Sequence, residues 1–138
     1  MSDPLVEAAL KARDRAHAPY SRFHVGCAVE SVDGEVAVGA NMENACYRLG
    51  VCAEQSALAA AQQAFGLAKV ARIAVVGGFA DAGDEPGEAV MPCGGCRQAI
   101  AEAAQLSGRN IAVICHDHRG RNATETDIAA LLPAAFSL

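Results

Sequence analysis

Apolar and polar positions recur along this chain with two different periods, and the switches between them mark its elements. Ser2 or Asp3 followed by Pro4 signals a helix start, because a small polar side chain caps free N–H groups and proline suits the first turn. Val6, Leu10 and the alanines between them supply an apolar face, and the helix should end before Pro19. His24 to Ser31 reads as a strand. Asp33-Gly34 is a hairpin turn signal, after which Glu35 to Ala40 returns as a second strand with Val36 and Val38 alternating. Asn41 to Val51 reads as a loop. Cys52 to Phe65 reads as a helix with Gly66 at C′, and Val70 to Val76 as a buried β-branched strand. Gly77 to Met91 is glycine-rich and acidic, the pattern of a loop. Cys93 to Leu106 predicts an alanine-rich helix closed by Gly108, and Ile111 to Cys115 a further strand. His118-Arg119-Gly120 turns the chain toward a short strand near Ala123. Thr126 is placed to cap a last helix that runs through Leu132 and stops at Pro133.

Helices interleaved with apolar strands imply a sheet covered on both faces. The Asp33-Gly34 turn makes the first strand pair antiparallel, so the expected architecture is a three-layer α/β/α sandwich with a mixed sheet. A length of 138 residues suits one domain, residues 1–138, with a core of its own. The apolar fraction is 52%, but much of it is alanine and there is no tryptophan, so the core gains from a metal or from subunit contacts. Net charge is −5 with no basic run. Nucleic-acid binders draw most of their affinity from phosphate contacts, so this balance favours a small-molecule substrate. No apolar stretch is long enough to span a bilayer. Met1 to Arg15 is charged and amphipathic, unlike a secretory leader. The expected compartment is the cytoplasm, where six cysteines stay reduced and more often serve metal or redox chemistry than disulfides.

Pro92-Cys93-Gly94-Gly95-Cys96 opens a helix. Cysteines three apart there share one face, and the helix N-terminus favours thiolate over thiol. On its own a C-x-x-C pair reads equally well as half of a structural zinc site, a redox pair, or part of a catalytic zinc site, with plain buried thiols a lesser alternative. Cys52-Ala53-Glu54 shifts the balance, because a third cysteine occupies a similar helix start. Structural zinc usually takes four protein ligands, whereas catalytic zinc keeps a position for water. Cys27, Cys46 and Cys115 have no such setting and read as small apolar core residues. Glu54, two residues after a candidate ligand, can reach a zinc-bound water without binding the metal. By itself it would be an ordinary first-turn glutamate.

Cys-Ala-Glu followed by Pro-Cys-x-x-Cys resembles the zinc nucleoside deaminases, and specifically the small homotetrameric cytidine deaminases. The likeness covers nearly the whole chain, through Pro19 to Gly26, Asn41 to Tyr47, Cys93 to Gln98 and Leu131 to Phe136. It implies one Zn²⁺ per subunit on Cys52, Cys93 and Cys96. It assigns Glu54 as the proton shuttle while hydroxide attacks C4 of the pyrimidine and ammonia leaves. It further implies that Asn41 and Glu43 hold the ribose hydroxyls, that Phe23 lies against the pyrimidine and that the backbone of Ala53 meets the base edge. Tyr47 and Phe136 match residues lent to the pocket by neighbouring subunits of a homotetramer. The implied substrates are free cytidine and 2′-deoxycytidine, with no nucleic-acid or membrane partner. Two features depart from the resemblance. Gln55 stands where small tetrameric members often carry arginine, which leaves the excess negative charge of three thiolates to Arg97, Arg48 or the helix dipoles. Gly77 to Met91 is several residues longer than usual. The rival readings are a structural zinc module with Cys27, Cys46 or Cys115 as fourth ligand, and a thiol–disulfide oxidoreductase using Cys93 and Cys96. Neither uses Asn41, Glu43 or Glu54. Within the enzyme class the rival is a deaminase of another aminopyrimidine nucleoside, of the blasticidin S type.

Overall fold

A computed structural model describes residues 3–138. Four helices, α1 (Pro4–Arg13), α2 (Ala53–Ala64), α3 (Gly94–Ser107) and α4 (Ile128–Leu131), accompany five strands, β1 (Phe23–Ser31), β2 (Val36–Ala40), β3 (Val70–Phe79), β4 (Ala112–His116) and β5 (Thr124–Asp127). The strands form one mixed sheet in the order β2-β1-β3-β4-β5. Only the β3–β4 pair is parallel. The α/β architecture with a mixed sheet is therefore as expected.

Asp3 caps α1, its Oδ1 accepting from Leu5 N at 2.9 Å; Ser2, the other candidate cap, lies outside the described residues. The Arg72 guanidinium of β3 grips both Asp3 oxygens at 2.8 Å and Glu30 of β1 at 2.8 Å, so the cap is pinned to the sheet. On that face Leu5, Val6 and Ala9 bury against Ala28, Ala74 and Val76. On the other face α2, α3 and α4 cover Val29, Ile73, Val75 and Val113 with Leu58, Ile100 and Ile128. Each such side chain contributes about 1.5–3 kcal/mol on burial.

Two glycines let the layers close. A Cβ on Gly26 would lie 2.0 Å from Ala9 O of α1, and one on Gly39 would lie 2.4 Å from Ala57 N of α2. Only a hydrogen fits at either place. The second approach brings α2, and with it the start of that helix, hard against the sheet.

Two boundaries differ from expectation. β3 runs on through Gly77-Gly78-Phe79, where the glycine pattern predicts a loop, because these residues pair with Phe23–Val25 of β1. Arg13 bridges the two strand ends, donating to His24 O and Gly78 O at 2.9 Å each. The remaining segment, Ala80 to Met91, is docked on the turn between β4 and β5. His118 Nε2 donates to Gly83 O at 2.7 Å, Gly87 N to Asp117 Oδ2 at 3.0 Å, and Asn122 Nδ2 to Gly87 O at 2.7 Å. Asp117 is fully buried. Burial opposes its ionisation, but backbone N–H groups of Gly87, Arg121 and Arg119 outweigh it and hold the carboxyl at about 2. Finally, Asp127 rather than Thr126 caps α4, accepting from Ala130 N at 2.9 Å, because Thr126 is paired with Val113 in β5.

Candidate active site

Helices α2 and α3 begin beside one another, and each begins with a cysteine. Cys52 is the N-cap of α2 and Cys93 the N-cap of α3, both in extended conformation, and neither side chain caps an N–H group. Cys96 lies one turn into α3. Two sets of unpaired helix N–H groups therefore face the same three sulfurs, which favours negative charge on them. Cys52 and Cys93 Sγ are 4.0 Å apart, Cys93 and Cys96 Sγ 3.5 Å, and all three lie within 4.8 Å of one another. Zinc–sulfur bonds of about 2.3 Å in a tetrahedron put sulfurs about 3.8 Å apart, so the donors present fit one zinc ion with a fourth position left for another ligand.

Among the described residues no other His, Cys, Asp or Glu joins this group. Cys27 and Cys115 are fully buried in the core, as expected. Cys46 is not a core residue: it is exposed, turned outward where its N–H meets Asn44 Oδ1 at 2.8 Å. None of the three is a fourth ligand, which leaves the structural-zinc reading without its last donor.

The three thiols also hydrogen-bond one another. The Cys96 thiol, and then Cys93, hydrogen-bond Cys52 and bring it down to about 6. Cys96 is driven up by that same bond and by burial. Glu54, 4% exposed, occupies the second position of α2. Desolvation lifts its carboxyl to about 7, with the neighbouring Cys52 adding in the same direction. A carboxylate poised near neutrality beside an acidic sulfur cluster is suited to take up and return protons.

The Gln55 side chain supplies what the resemblance had assigned to arginine, in neutral form: Nε2 donates to Cys96 Sγ at 3.7 Å. Arg97 does not serve the sulfurs, since it donates to the carbonyls of Pro92 at 2.8 Å and Leu131 at 3.0 Å. Arg48 lies exposed on the 3-10 turn Tyr47–Leu49. The helix N-termini and Gln55 are thus the positive ends nearest the cluster.

The remaining candidates fall on both sides of the segment Asn41–Glu43. That segment is stitched to its surroundings by backbone bonds: His17 N to Asn41 O at 2.9 Å, Glu43 N to His17 O at 2.7 Å, and Met42 to Val51 in both directions at 2.9 Å. Val51 immediately precedes Cys52, so the segment is tied to the start of α2. Asn41 bonds β1 with its amide, accepting from Val25 N at 2.9 Å and donating to Phe23 O at 2.8 Å. One of its two N–H donors stays free. Glu43 Oε1 accepts from Tyr20 N at 3.0 Å and Ser21 N at 3.1 Å, and Oε2 from Ser21 Oγ at 2.5 Å. Phe23 packs edge-on against Phe79, with centroids 4.9 Å apart. Ala53 is fully buried at the start of α2. Tyr47 stands over the Glu43 cavity beside Tyr20. Phe136 lies along α3, its carbonyl accepting from Gln98 and Gln105. Three participants escaped the sequence reading: Ser21, Phe79 and the Gln55–sulfur bond. Ser21 could have been singled out by its place inside Pro19 to Gly26; the other two depend on contacts between distant elements.

A family model described as the cytidine and deoxycytidylate deaminase zinc-binding region matches residues 2–115. A cytidine deaminase of Halalkalibacterium halodurans is 41% identical over 133 residues, covering 96% of this chain and 92% of that protein. One from Mycobacterium tuberculosis is 38% identical over 130 residues, 94% of this chain and 85% of that protein. Among solved structures, cytidine deaminase from Burkholderia pseudomallei superposes with a TM-score of 0.82 at 40% identity, covering 99% of this chain and 100% of the other.

Proposed function

The chain belongs to the cytidine and deoxycytidylate deaminase family, and from that premise we propose that it hydrolyses free cytidine and 2′-deoxycytidine to uridine and 2′-deoxyuridine, releasing ammonia. The observation that carries this reading is the sulfur trio at two helix N-termini with buried Glu54 beside it. Cys52, Cys93 and Cys96 would hold one zinc ion per chain, and residues 1–138 would act as one domain. Zinc on such a site supplies acidity, lowering the pKa of a bound water to about 7 so that a nucleophile exists at neutral pH.

The chain's own groups do the rest. Glu54 takes one proton from the attacking water and gives it to N3 of the pyrimidine, then carries a second from the new C4 hydroxyl to the departing amine, which leaves as ammonia. Its buried carboxyl near 7 suits both halves of that transfer. Phe23 lies against the ring, and the backbone of Ala53 meets the base edge. Asn41 and Glu43 take the ribose hydroxyls. This division favours cytidine over other aminopyrimidine nucleosides, since two polar side chains are committed to a plain ribose.

The test is an ammonia-release assay on a graded panel. Cytidine should be deaminated well ahead of cytidine 3′-monophosphate, cytidine 5′-monophosphate and a short cytosine-containing DNA strand. A 3′-phosphate removes the hydroxyl that Glu43 accepts from and sets two anions together. The unpaired acceptor alone costs about 1–3 kcal/mol where it is buried. Cytidine 3′-monophosphate or the strand reacting as fast as cytidine would defeat the assignment of Glu43, and the 5′-monophosphate doing so would defeat the restriction to free nucleosides.

A homotetramer follows from the same reading. Tyr47 and Phe136 are 79% and 70% exposed in one chain, and both gain cover if lent to neighbouring pockets. Chains carrying Glu54→Gln refolded together with chains carrying Phe136→Ala should regain activity that neither has alone. No regain, with a monomer mass by light scattering, would overturn the shared pocket. All six cysteines are free, which suits a cytoplasmic setting where the ligand sulfurs stay reduced.

A further inference from the structure

The Glu43 carboxylate and the Phe23 ring come from segments 20 residues apart in sequence, yet one side chain joins them. The Ser21 hydroxyl donates to Glu43 Oε2 at 2.5 Å and accepts from Phe23 N at 3.0 Å. Its backbone N–H adds a bond to Glu43 Oε1 at 3.1 Å, and Tyr20 N a second at 3.0 Å. We infer that Ser21 is a positioning residue for nucleoside recognition: its hydroxyl fixes the Glu43 carboxylate to the backbone of Phe23, so that the group for the ribose and the ring for the base are held as one unit. This rests on the reading that Glu43 meets the 3′-hydroxyl and Phe23 the base.

Three observations support it. An ionised carboxylate has about four acceptor sites, and three on Glu43 are filled by Tyr20 and Ser21. What remains opens toward the cavity lined by Tyr20, Ser21, Glu43 and Tyr47, the place a ligand hydroxyl would approach. The Ser21 bonds also keep the carboxyl below the usual carboxylate range, so it is held as the acceptor a hydroxyl needs. Finally, Arg22, between Ser21 and Phe23, has φ +62°, a left-handed conformation that a residue other than glycine adopts at a cost. The Ser21 hydroxyl spans that residue and holds the turn that aims Phe23.

The decisive measurement is the ratio of kcat/KM for cytidine to that for 3′-deoxycytidine, on the purified zinc-loaded chain. A hydrogen bond to a charged group at a half-open site is worth about tenfold in affinity. Ser21→Ala should therefore raise KM for cytidine about tenfold, leave kcat within about twofold, and reduce the preference for cytidine by a similar factor. Ser21→Thr, which keeps the hydroxyl, should restore both. Glu43→Gln serves as the reference. If it abolishes the preference while Ser21→Ala leaves it intact, the inference about Ser21 fails and the site reading stands. If Glu43→Gln leaves the preference unchanged, the site reading fails and takes the inference with it. Equal losses for cytidine and 3′-deoxycytidine in Ser21→Ala, or no rescue by threonine, would mark Ser21 as a structural residue only.

Discussion

Glu54→Gln should deaminate cytidine about 10²- to 10⁴-fold more slowly while keeping its fold and its zinc, the usual contribution of a positioned acid–base group. The amide matches the carboxyl in shape, so the packing of α2 against the sheet is preserved. It cannot exchange a proton, so each of the two transfers loses its carrier. The burial that lifts the native carboxyl to about 7 also sets a direction with pH. Glu54 must start as carboxylate, so turnover of the zinc-loaded chain should fall as pH drops through the pKa of this group. A bound cation would stabilise the carboxylate and move the fall to lower pH. Stopped assays with zinc content measured on the same samples check the prediction. A loss under about tenfold at full zinc occupancy would assign the proton transfers elsewhere.

Cys96→Ala should lose most of its zinc and, with it, turnover. The native chain should carry about one zinc per chain. Cys96 is the one sulfur of the three that is wholly buried, one turn into α3, and it accepts from Gln55. Its removal leaves two sulfurs at the exposed end of the cluster and frees the Gln55 donor. Structural and catalytic zinc sites seldom survive on two protein ligands. Cys46→Ala is the matched control, since that thiol is exposed and outside the cluster, and it should keep full zinc. Metal content by atomic absorption after dialysis separates the two. Full occupancy in Cys96→Ala would refute the ligand set.

Much of the candidate site was legible because its chemistry is local. A cysteine at a helix start, a second three residues later, and a glutamate two residues after the third cysteine are all short-range patterns, and a helix converts such spacing directly into a shared face. The Asp33-Gly34 turn is equally local and pairs β1 with β2 as expected. The failures share a different origin. The extension of β3 through Phe79 depends on pairing with Phe23–Val25, more than fifty residues away. Thr126 lost the cap of α4 to Asp127 because β4 claimed it as a strand partner. Cys46 read like Cys27 and Cys115, yet only those two lie under helices.

By itself, then, the amino-acid sequence determined the order of the elements, the helix starts that carry Cys52, Cys93 and Cys96, and the type of each functional side chain. Caps, turns and periodicity act over a few residues, where backbone sterics and hydrogen bonding suffice. Tertiary structure alone decided that the three sulfurs lie within 4.8 Å of one another, that Gln55 rather than Arg97 serves them, and that Ser21 joins Glu43 to Phe23. These depend on how closely whole helices approach the sheet, which Gly39 permits and the burial of Ile73, Val75 and Ile100 drives. Packing of that kind sums many weak contacts between distant segments, and no spacing within one segment encodes it.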